Sequence, residues 1–257
     1  MNIQTIEDPI EYTLQGINQL QAHPENRFTF GRALRSYLRQ DPDVILVGEI
    51  RDKETPEISI AASLTGHLLL STLHTDDASS TIVRLVEMGV KPFMVSSSIL
   101  LVCAQRLLRQ LCLHCKELHE PNAQEKSLVG LPPSADFTLY RAKGCLECNK
   151  IGYNGRVGIH ELLVPNAAMR KSINASGITA EEPKRQAVEE CSMNTLYWDA
   201  MEKVREGRCS IDDVLAKVRI DEFDARPKCM FAELGLSVPD SRGTLPFLGN
   251  STYPHAA

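Results

Sequence analysis

The chain has 257 residues, of which 43% are hydrophobic and 24% charged, and its formal net charge is −5 at pH 7. This is the composition of a globular protein with one large or two modest domains, and the acidic balance argues against nucleic acid as a partner. The first residues lack a secretory-signal pattern, and the longest apolar windows are shorter than the ~18 residues of a spanning helix. We therefore expect a soluble cytoplasmic protein without a transmembrane segment.

Residues 1–110 alternate between strand and helix patterns. The stretch 44–48, VILVG, is a continuous apolar run, as expected for a strand buried on both faces of a parallel sheet. From Phe30 the apolar residues recur at helical spacing, with Thr29 as the expected N-cap. This order predicts a parallel sheet with helices packed on it. The expected strands are 3–6, 44–48 and 67–73, and the expected helices are 30–40, 55–65, 77–88 and 92–110.

Polar side chains follow three of these strands. Glu7 and Asp8 come directly after the first strand, Glu49 after the second and His74 after the third. Ligands of open α/β sheets bind beyond the carboxyl ends of the strands, so we expect these groups to face one ligand. Carboxylates at that place suit Mg²⁺ or an attacking water, and a histidine there suits a phosphate.

Each of these motifs also has an ordinary interpretation. Glu-Asp-Pro is common in turns, and a buried strand can end in an acidic residue by chance. A lone histidine is more often a satisfied core or surface residue, and His67, at the opposite end of its strand from His74, is harder to place at the same ligand. Arg32, Arg35 and Arg39 lie near one helix face, where most charges are simply solvated; one of them could instead reach a phosphate in the same or a neighbouring subunit.

Two CxxC pairs follow, Cys112 with Cys115 and Cys145 with Cys148. Four thiolates at this spacing close a tetrahedral site, so the pattern predicts structural zinc. Free or buried thiols and a redox CxxC are the less favoured alternatives. His114, between two of the predicted ligands, is interpreted as a bystander.

The remainder of the chain continues with mixed elements. A strand is expected at 155–163, and helices near 166–174, 181–191, 195–207 and 210–218. Beyond 221 the sequence is rich in Pro, Gly and Ser without periodicity, which is typical of a disordered tail. The predicted division is an α/β core at 1–110, a cysteine module at 111–155, a strand and helical region at 156–220 and a tail at 221–257.

Several long motifs together resemble those of the type II secretion and type IV pilus assembly ATPases. The matching stretches are TIEDPIEY, similar to the family's Asp box; ALRSYLRQDPDVILVGEIRD, similar to its Walker B strand; TGHLLLSTLHTDDA, similar to its His box; AQRLLRQLC; GRVGIHELL; and the four cysteines. They occur in order from Asn2 to about Val218. Gly48 stands where many Walker B strands carry an Asp.

The resemblance implies a partial RecA-like P-loop NTPase core with a tetracysteine zinc module and a C-terminal helical region. It implies ATP, Mg²⁺ and Zn²⁺ as cofactors, a homo-hexamer, and inner-membrane platform proteins of a secretion or pilus machine as partners on the cytoplasmic face. Carried over by position, the catalytic residues are Glu7, Asp8, Glu49 and His74. The nucleotide-contacting residues are Arg35, Arg39 and His67, and the metal ligands are Cys112, Cys115, Cys145 and Cys148.

A phosphate-cradling loop of the form G-x-x-x-x-G-K-[ST] does not occur in the sequence. In the family that loop lies shortly before the Asp box, so we expect this chain to be the C-terminal portion of a larger ATPase. Without the loop, nucleotide binding by the chain alone is expected to be impaired. The alternatives are a non-catalytic gene fragment and a zinc-stabilised protein-interaction module.

Overall fold

The computed structural model describes residues 1–23, 25, 28–129, 138–175 and 181–220. The predicted tail at 221–257 lies outside these residues. The strands are β1 Ile3–Glu7, β2 Asn18–Gln21, β3 Val44–Val47, β4 Leu68–Ser71, β5 Val102–Leu111, β6 Glu117–His119, β7 Leu139–Arg141 and β8 Tyr153–Leu163. The helices are α1 Phe30–Tyr37, α2 Glu54–Leu64, α3 Ala78–Glu87, α4 Pro92–Ser98, α5 Ala123–Leu128, α6 Ala167–Asn174, α7 Glu181–Glu189, α8 Leu196–Arg205 and α9 Ile211–Lys217.

The chain divides into two compact units. The first contains residues 1–102 and 163–191, and the second contains 103–162 together with the described residues from 192 onward. These units cut across the predicted segments 1–110, 111–155 and 156–220, because the chain returns to the first unit after β8. Within the described ranges, every helix is too short or too polar to cross a membrane.

The first unit is built on a parallel sheet of four strands in the order β2-β1-β3-β4. Ile6 pairs with Val47 and Val47 with Ser71, so the carboxyl ends of the strands lie at one edge. The apolar run of β3 supplies Ile45 and Val47, which are fully buried. The predicted α/β class, a parallel sheet flanked by helices, is confirmed.

Helix α1 packs on this sheet as its periodicity predicts. Thr29 caps the helix by accepting a hydrogen bond from the Arg32 backbone N–H. The Tyr37 hydroxyl, at the other end, donates to the Thr5 carbonyl of β1 at 2.7 Å. The buried apolar cluster between helix and sheet comprises Ile6, Ala22, Phe30, Ala33, Leu34, Tyr37, Ile45 and Val47.

The helix predicted at 92–110 is wrong in its second half. Helix α4 ends at Ser98, and Val102–Leu111 form strand β5, which pairs with β8. Exposure alternates along the first half of β5, as on a half-buried strand. Its Arg, Gln and Leu residues are good helix formers, but pairing with a strand some 50 residues later outweighs that weak local preference. Strands β2, β6 and β7 and helix α5 were not among the predicted elements.

The second unit has its own core, in which α8 and α9 pack with the strands. Its buried members are Leu108, Val129, Leu139, Val157, Ile159, Leu196, Tyr197, Trp198, Ala200, Met201, Val204, Cys209, Ile211, Val214 and Val218. Asp213, only 1% exposed, is one of the charged groups buried in this unit. Its carboxylate accepts from the Arg109 backbone N–H at 2.7 Å and the Arg109 Nε at 2.6 Å, and Lys217 Nζ lies 3.1 Å away.

We predict that Asp213→Ala lowers the free energy of unfolding by about 2 kcal/mol, because the Arg109 backbone N–H loses its acceptor, whereas the half-exposed guanidinium can turn to water. Urea unfolding of the full chain measures this, with Asp212→Ala, an exposed acid in the same helical turn, as the control.

Hydrogen bonds from Arg109 and Lys217 hold the pKa of Asp213 below its usual value despite burial. Its contribution is therefore present above about pH 4 and is lost as pH falls through the folded-state pKa. Equal destabilisation by the two variants at pH 7 would contradict this assignment.

Candidate functional site

The sheet edge gathers three of the predicted catalytic groups around Glu49. The Glu49 side chain is 13% exposed, and its Oε2 lies 3.3 Å from His74 Nε2. The same oxygen lies 2.5 Å from Arg51 Nε, and Arg51 Nη1 lies 3.6 Å from Asp8 Oδ2. Asp8, Glu49 and His74 thus form one cluster in which Arg51 bridges the two carboxylates.

Arg51 was not among the residues predicted from the sequence. It lies two residues beyond Glu49, and it is largely exposed, like the neighbouring charged residues. From the sequence alone, Arg51 could have been recognised only as a cation close to the acidic end of a strand. Two carboxylates that converge at a sheet edge repel one another, and a cation between them offsets that repulsion. Acidic side chains that face each other at a sheet edge therefore require a cation between them, and the sequence interpretation did not include one.

Glu7 is oriented differently from Asp8. Its Oε1 accepts from the Thr5 hydroxyl at 2.6 Å and from Gln19 Nε2 at 3.0 Å, and its described contacts do not include Glu49. Successive side chains on a strand point to opposite faces, so two adjacent acids at a strand end do not address the same position. Burial and the nearby Glu7 charge raise the pKa of Tyr37 to about 12.

Gly48 fills a position where β1 and β3 approach closely. A Cβ at this residue would lie 3.2 Å from the Glu7 Cα and 3.2 Å from the Ile6 carbonyl oxygen. Both neighbours are backbone atoms, which cannot move aside as a side chain can. This close contact explains why glycine precedes Glu49, where many strands of this kind carry an Asp.

The predicted nucleotide-contacting residues lie elsewhere in the first unit. His67 Nδ1 lies 3.1 Å from the carbonyl oxygen of Ala62 in α2. His67 directly precedes β4, at the opposite end of that strand from the edge that holds Glu49. Arg35 forms an ion pair with Glu54, the first residue of α2. Arg39 is exposed just beyond α1.

The four predicted cysteines come together in the second unit. All four sulfur atoms lie within 4.8 Å of one another. The Cys112–Cys145 pair is 3.9 Å apart, and the Cys115–Cys148 and Cys145–Cys148 pairs are both 3.7 Å apart. A tetrahedron with Zn–S bonds of about 2.3 Å has edges of roughly 3.8 Å, so this donor set fits zinc. His114 is exposed and lies outside the set.

Backbone N–H groups point at two of the sulfur atoms. Cys148 Sγ accepts from Cys145 N at 3.2 Å and from Gly152 N at 3.1 Å, and Cys115 Sγ accepts from Gly144 N at 3.3 Å. The donors to Cys148 lower the pKa of that thiol to about 6. Burial raises the pKa of Cys115 to about 12. Because metal binding requires thiolates, affinity for a metal falls when these groups are protonated.

The loop that carries the second cysteine pair folds back tightly. Gly144 has φ +106, and a Cβ there would lie 2.5 Å from the Lys150 carbonyl oxygen. Gly152 has φ +81, and its Cβ would lie 2.6 Å from that of Ala142. Only glycine fits these two positions without displacing backbone or a neighbouring side chain. The loop is thereby shaped to bring both cysteines onto the first pair.

The cysteine cluster is fastened to the C-terminal helices of its unit. Lys116 Nζ donates to the Gly207 carbonyl at 2.8 Å and lies 4.3 Å from the centre of the Tyr140 ring. The Leu111 N–H donates to the Arg208 carbonyl at 2.8 Å. Gly207 and Arg208 form the turn between α8 and α9, so the cluster and these helices stabilise one another.

The parallel sheet carries its acidic and histidine side chains beyond the carboxyl ends of the strands, which is where open α/β proteins bind their ligands. Residues 1–216 match the family model described as "Type II/IV secretion system protein", and the chain belongs to this family.

Among its relatives, type II secretion system protein E of Pseudomonas aeruginosa is 50% identical over 218 residues, which are 85% of this chain and 43% of that protein. The type IV pilus assembly ATPase PilB of Myxococcus xanthus is 45% identical over 226 residues, 86% of this chain and 39% of that one. This chain therefore spans less than half the length of these relatives.

Among solved structures, the pilus retraction motor PilT with bound ADP aligns with a TM-score of 0.61 and 30% identity. The alignment covers 86% of this chain and 53% of PilT. The Legionella pneumophila ATPase DotB aligns with a TM-score of 0.59 over 84% of this chain and 50% of its own. At 22% identity, that match supports the fold alone. The match to PilT, together with the cysteine cluster, agrees with the fold class predicted from the sequence.

We predict that Gly144→Ala destabilises the second unit by at least about 2 kcal/mol more than Gly155→Ala. Both glycines have positive φ, so both variants carry the strain of a left-handed alanine. A Cβ at Gly155 meets only the Gln110 side chain at 3.7 Å, whereas the Cβ at Gly144 clashes with backbone. Urea unfolding of the two variants measures the difference, and equal effects would contradict the predicted clash.

Proposed function

We propose that this chain supplies the acidic and histidine side of the ATP site in a motor for type II protein secretion or type IV pilus assembly. The observation that carries the proposal is the cluster of Asp8, Arg51, Glu49 and His74 at the carboxyl edge of the sheet. Family membership supports the same assignment. ATP bound with Mg²⁺ would supply the phosphoanhydride bond whose hydrolysis drives the motor.

Glu49 is proposed as the principal catalytic group. Its carboxylate sits at a strand end with limited solvent access and is oriented by Arg51 and His74. From that position Oε2 can accept a proton from an attacking water, the task of a general base. Asp8 and Glu7 are proposed to orient water or to hold Mg²⁺ through water, because carboxylate oxygens suit that ion.

His74 is proposed to sense the γ-phosphate. Its ring is 86% exposed and contacts Glu49 through Nε2, so it can exchange that partner for a phosphate oxygen. Arg35, Arg39 and His67 remain proposed nucleotide contacts, in the same or a neighbouring subunit. Because Arg35 pairs with Glu54, a phosphate would have to displace this carboxylate from it.

The assembly and its location are proposed from the family alone. We propose a homo-hexamer that docks on inner-membrane platform proteins at the cytoplasmic face. The functional division proposed is a nucleotide core at 1–110, a zinc module at 111–155 and a helical region at 156–220.

We propose that the four cysteines hold one Zn²⁺ ion. Their sulfur spacing and the N–H donors to Cys115 and Cys148 support it. Four protein ligands leave no open position, so the ion would be structural and not catalytic.

We predict about one zinc ion per chain in protein purified without chelator, measured by elemental analysis. Cys115→Ala is expected to lower the bound zinc strongly and to destabilise the second unit, because three thiolates leave the tetrahedron open. Cys103→Ala removes an exposed cysteine outside the cluster and should leave the zinc content unchanged. Zinc near zero in the unsubstituted protein would refute the site.

We predict that the isolated chain binds Mg²⁺·ATP weakly, because the phosphate-cradling motif is absent from its sequence. A chimera tests the catalytic assignment: residues 1–218 replace the matching segment of the 50%-identical P. aeruginosa protein E. The chimera is expected to hydrolyse ATP, and Glu49→Gln should lower kcat by about 10²–10⁴-fold.

The control for the chimera is Glu202→Gln, an exposed glutamate on α8 in the second unit, which should leave kcat unchanged. A folded chimera in which Glu49→Gln retains full activity would refute the role of Glu49. Saturable micromolar ATP binding by the isolated chain would show that the missing motif is dispensable.

A further inference from the structure

The connection between β4 and α3 carries His74 and is held at its first residue by the neighbouring strand. The Thr72 hydroxyl donates to the Gly48 carbonyl at 2.6 Å, and the Thr72 carbonyl accepts from the Ile50 N–H at 3.0 Å. Two residues further along, His74 Nε2 lies 3.3 Å from Glu49 Oε2. The start of the connection is therefore fixed to the end of β3 by these two hydrogen bonds.

The other end of the connection is fixed to α3 through Asp77, the N-cap of that helix. The Asp77 carboxylate accepts from the Ser80 N–H at 2.8 Å and from the Ser79 hydroxyl at 3.0 Å. The hydroxyl groups of Thr75 and Thr81 also lie 3.0 Å apart, which joins the connection to the first turns of the helix. Whatever holds the start of α3 in place therefore also holds the residues that follow His74.

A lysine from a distant part of the chain reaches the same carboxylate. Lys184 of α7 places its Nζ 3.3 Å from Asp77 Oδ2, and the two side chains are only 14% and 22% exposed. Burial raises the pKa of Asp77, but hydrogen bonds from Ser80 and the charge of Lys184 outweigh it, so that the pKa lies below its usual value. Salt screens a pair at this depth less than an exposed pair. Within the first unit, this ion pair therefore ties α7 to the start of α3.

We propose that Lys184 is a positioning residue for the candidate ATP site: its ion pair with Asp77 holds the connection between β4 and α3 so that His74 stays beside Glu49. The proposal rests on the roles proposed above for Glu49 and His74. The His74 side chain is 86% exposed, so its position follows mainly from its backbone. That backbone is held on one side at Thr72 and on the other at Asp77.

A purely structural role for the ion pair would fasten α7 to the first unit without affecting His74. The two roles differ in what happens at Glu49 when Lys184 is replaced, because only the positioning role connects these side chains. A double-mutant cycle isolates such a connection from a general loss of stability. The decisive measurement is therefore one made at His74 itself.

The first test uses nuclear magnetic resonance of the full chain with isotope-labelled histidine rings. The His74 signal is identified by its loss in His74→Gln, and Glu49→Gln is expected to shift it because the two side chains are in contact. In a chain that carries Lys184→Met, Glu49→Gln should shift the His74 signal at least about threefold less, because the coupling between the two positions is weakened. Arg185→Met removes an exposed cation from the same helix and should leave the response unchanged.

Two further variants separate the ion pair from the folding of the helices. Asp77→Asn keeps an acceptor for the Ser80 N–H, since Asn caps helices as well as Asp, but it removes the charge that binds Lys184. It should weaken the His74 response as Lys184→Met does, and the two substitutions together should add little to either one. Lys184→Arg keeps the cation and should restore most of the response. If Lys184→Met does not fold, Asp77→Asn and Lys184→Arg decide the question.

The second test measures kcat in the chimera with the P. aeruginosa protein E. Lys184→Met should lower kcat at least about fivefold, since a small displacement of a group at the site is costly to the rate. In a chimera that already carries His74→Gln, the same substitution should lower kcat by less than about twofold, because the residue through which Lys184 acts is absent. Arg185→Met should again have no effect.

The outcomes separate this proposal from the function on which it rests. A His74 signal that responds equally to Glu49→Gln with and without Lys184, or that does not respond at all in the unsubstituted chain, would overturn the positioning role. Equal loss of kcat on replacing Lys184 in the presence and absence of His74 would overturn it as well. Full activity of both Glu49→Gln and His74→Gln in a folded chimera would instead overturn the proposed function, and the His74 signal would still decide whether Lys184 holds this residue beside Glu49.

Discussion

The candidate catalytic cluster depends on the hydrogen-bonded register of three parallel strands. The ladder continues beyond their formal ends: Gly48 N donates to the Ile6 carbonyl at 2.8 Å, and Ile50 N donates to the Thr72 carbonyl at 3.0 Å. Glu49 lies between these two fixed points, so its backbone is held on both sides. A one-residue shift in pairing would turn its carboxylate to the other face of the sheet. Main-chain pairing therefore sets the position of Glu49 at this edge of the sheet. The Arg51 side chain balances the charge of the carboxylates around it.

The second unit depends on a different kind of constraint. Its strands β5 and β8 are far apart in sequence, and the loop between them would be costly to order by apolar burial alone. The cysteine cluster ties that loop onto the turn between α8 and α9, and Asp213 ties β5 to α9. The cysteine cluster and the Asp213 contacts both hold chain segments in place. Their specific polar contacts offset the conformational entropy that these segments lose on folding. Loss of either one is therefore expected to affect this unit first, since the first unit has its own apolar core.

Local signals predicted the parts of the fold in which each element is specified by its own residues. The apolar run of β3, the periodic face and Thr29 cap of α1, and the spacing of the cysteines are such signals. Strand β5 was missed because its partner β8 is distant in sequence and a strand with Arg and Gln also reads as a helix. Arg51 and the different orientation of Glu7 were missed because side-chain direction at a strand end follows from three-dimensional pairing. Sequence order placed the acids at the correct edge but did not separate those that converge on Glu49 from the one that does not.

The two candidate sites use ligands in opposite ways. At the sheet edge, Glu49 contacts both His74 and Arg51 through ion pairs that a bound ligand can displace. In the cysteine cluster the four sulfur atoms lie in contact with one another. A zinc ion held by all four would have no open position for a reactant. A ligand set of this kind can be altered only by chemistry on the ligands themselves. Any control exerted there would consequently act through the fold of the second unit and not through the proton transfers proposed for Glu49.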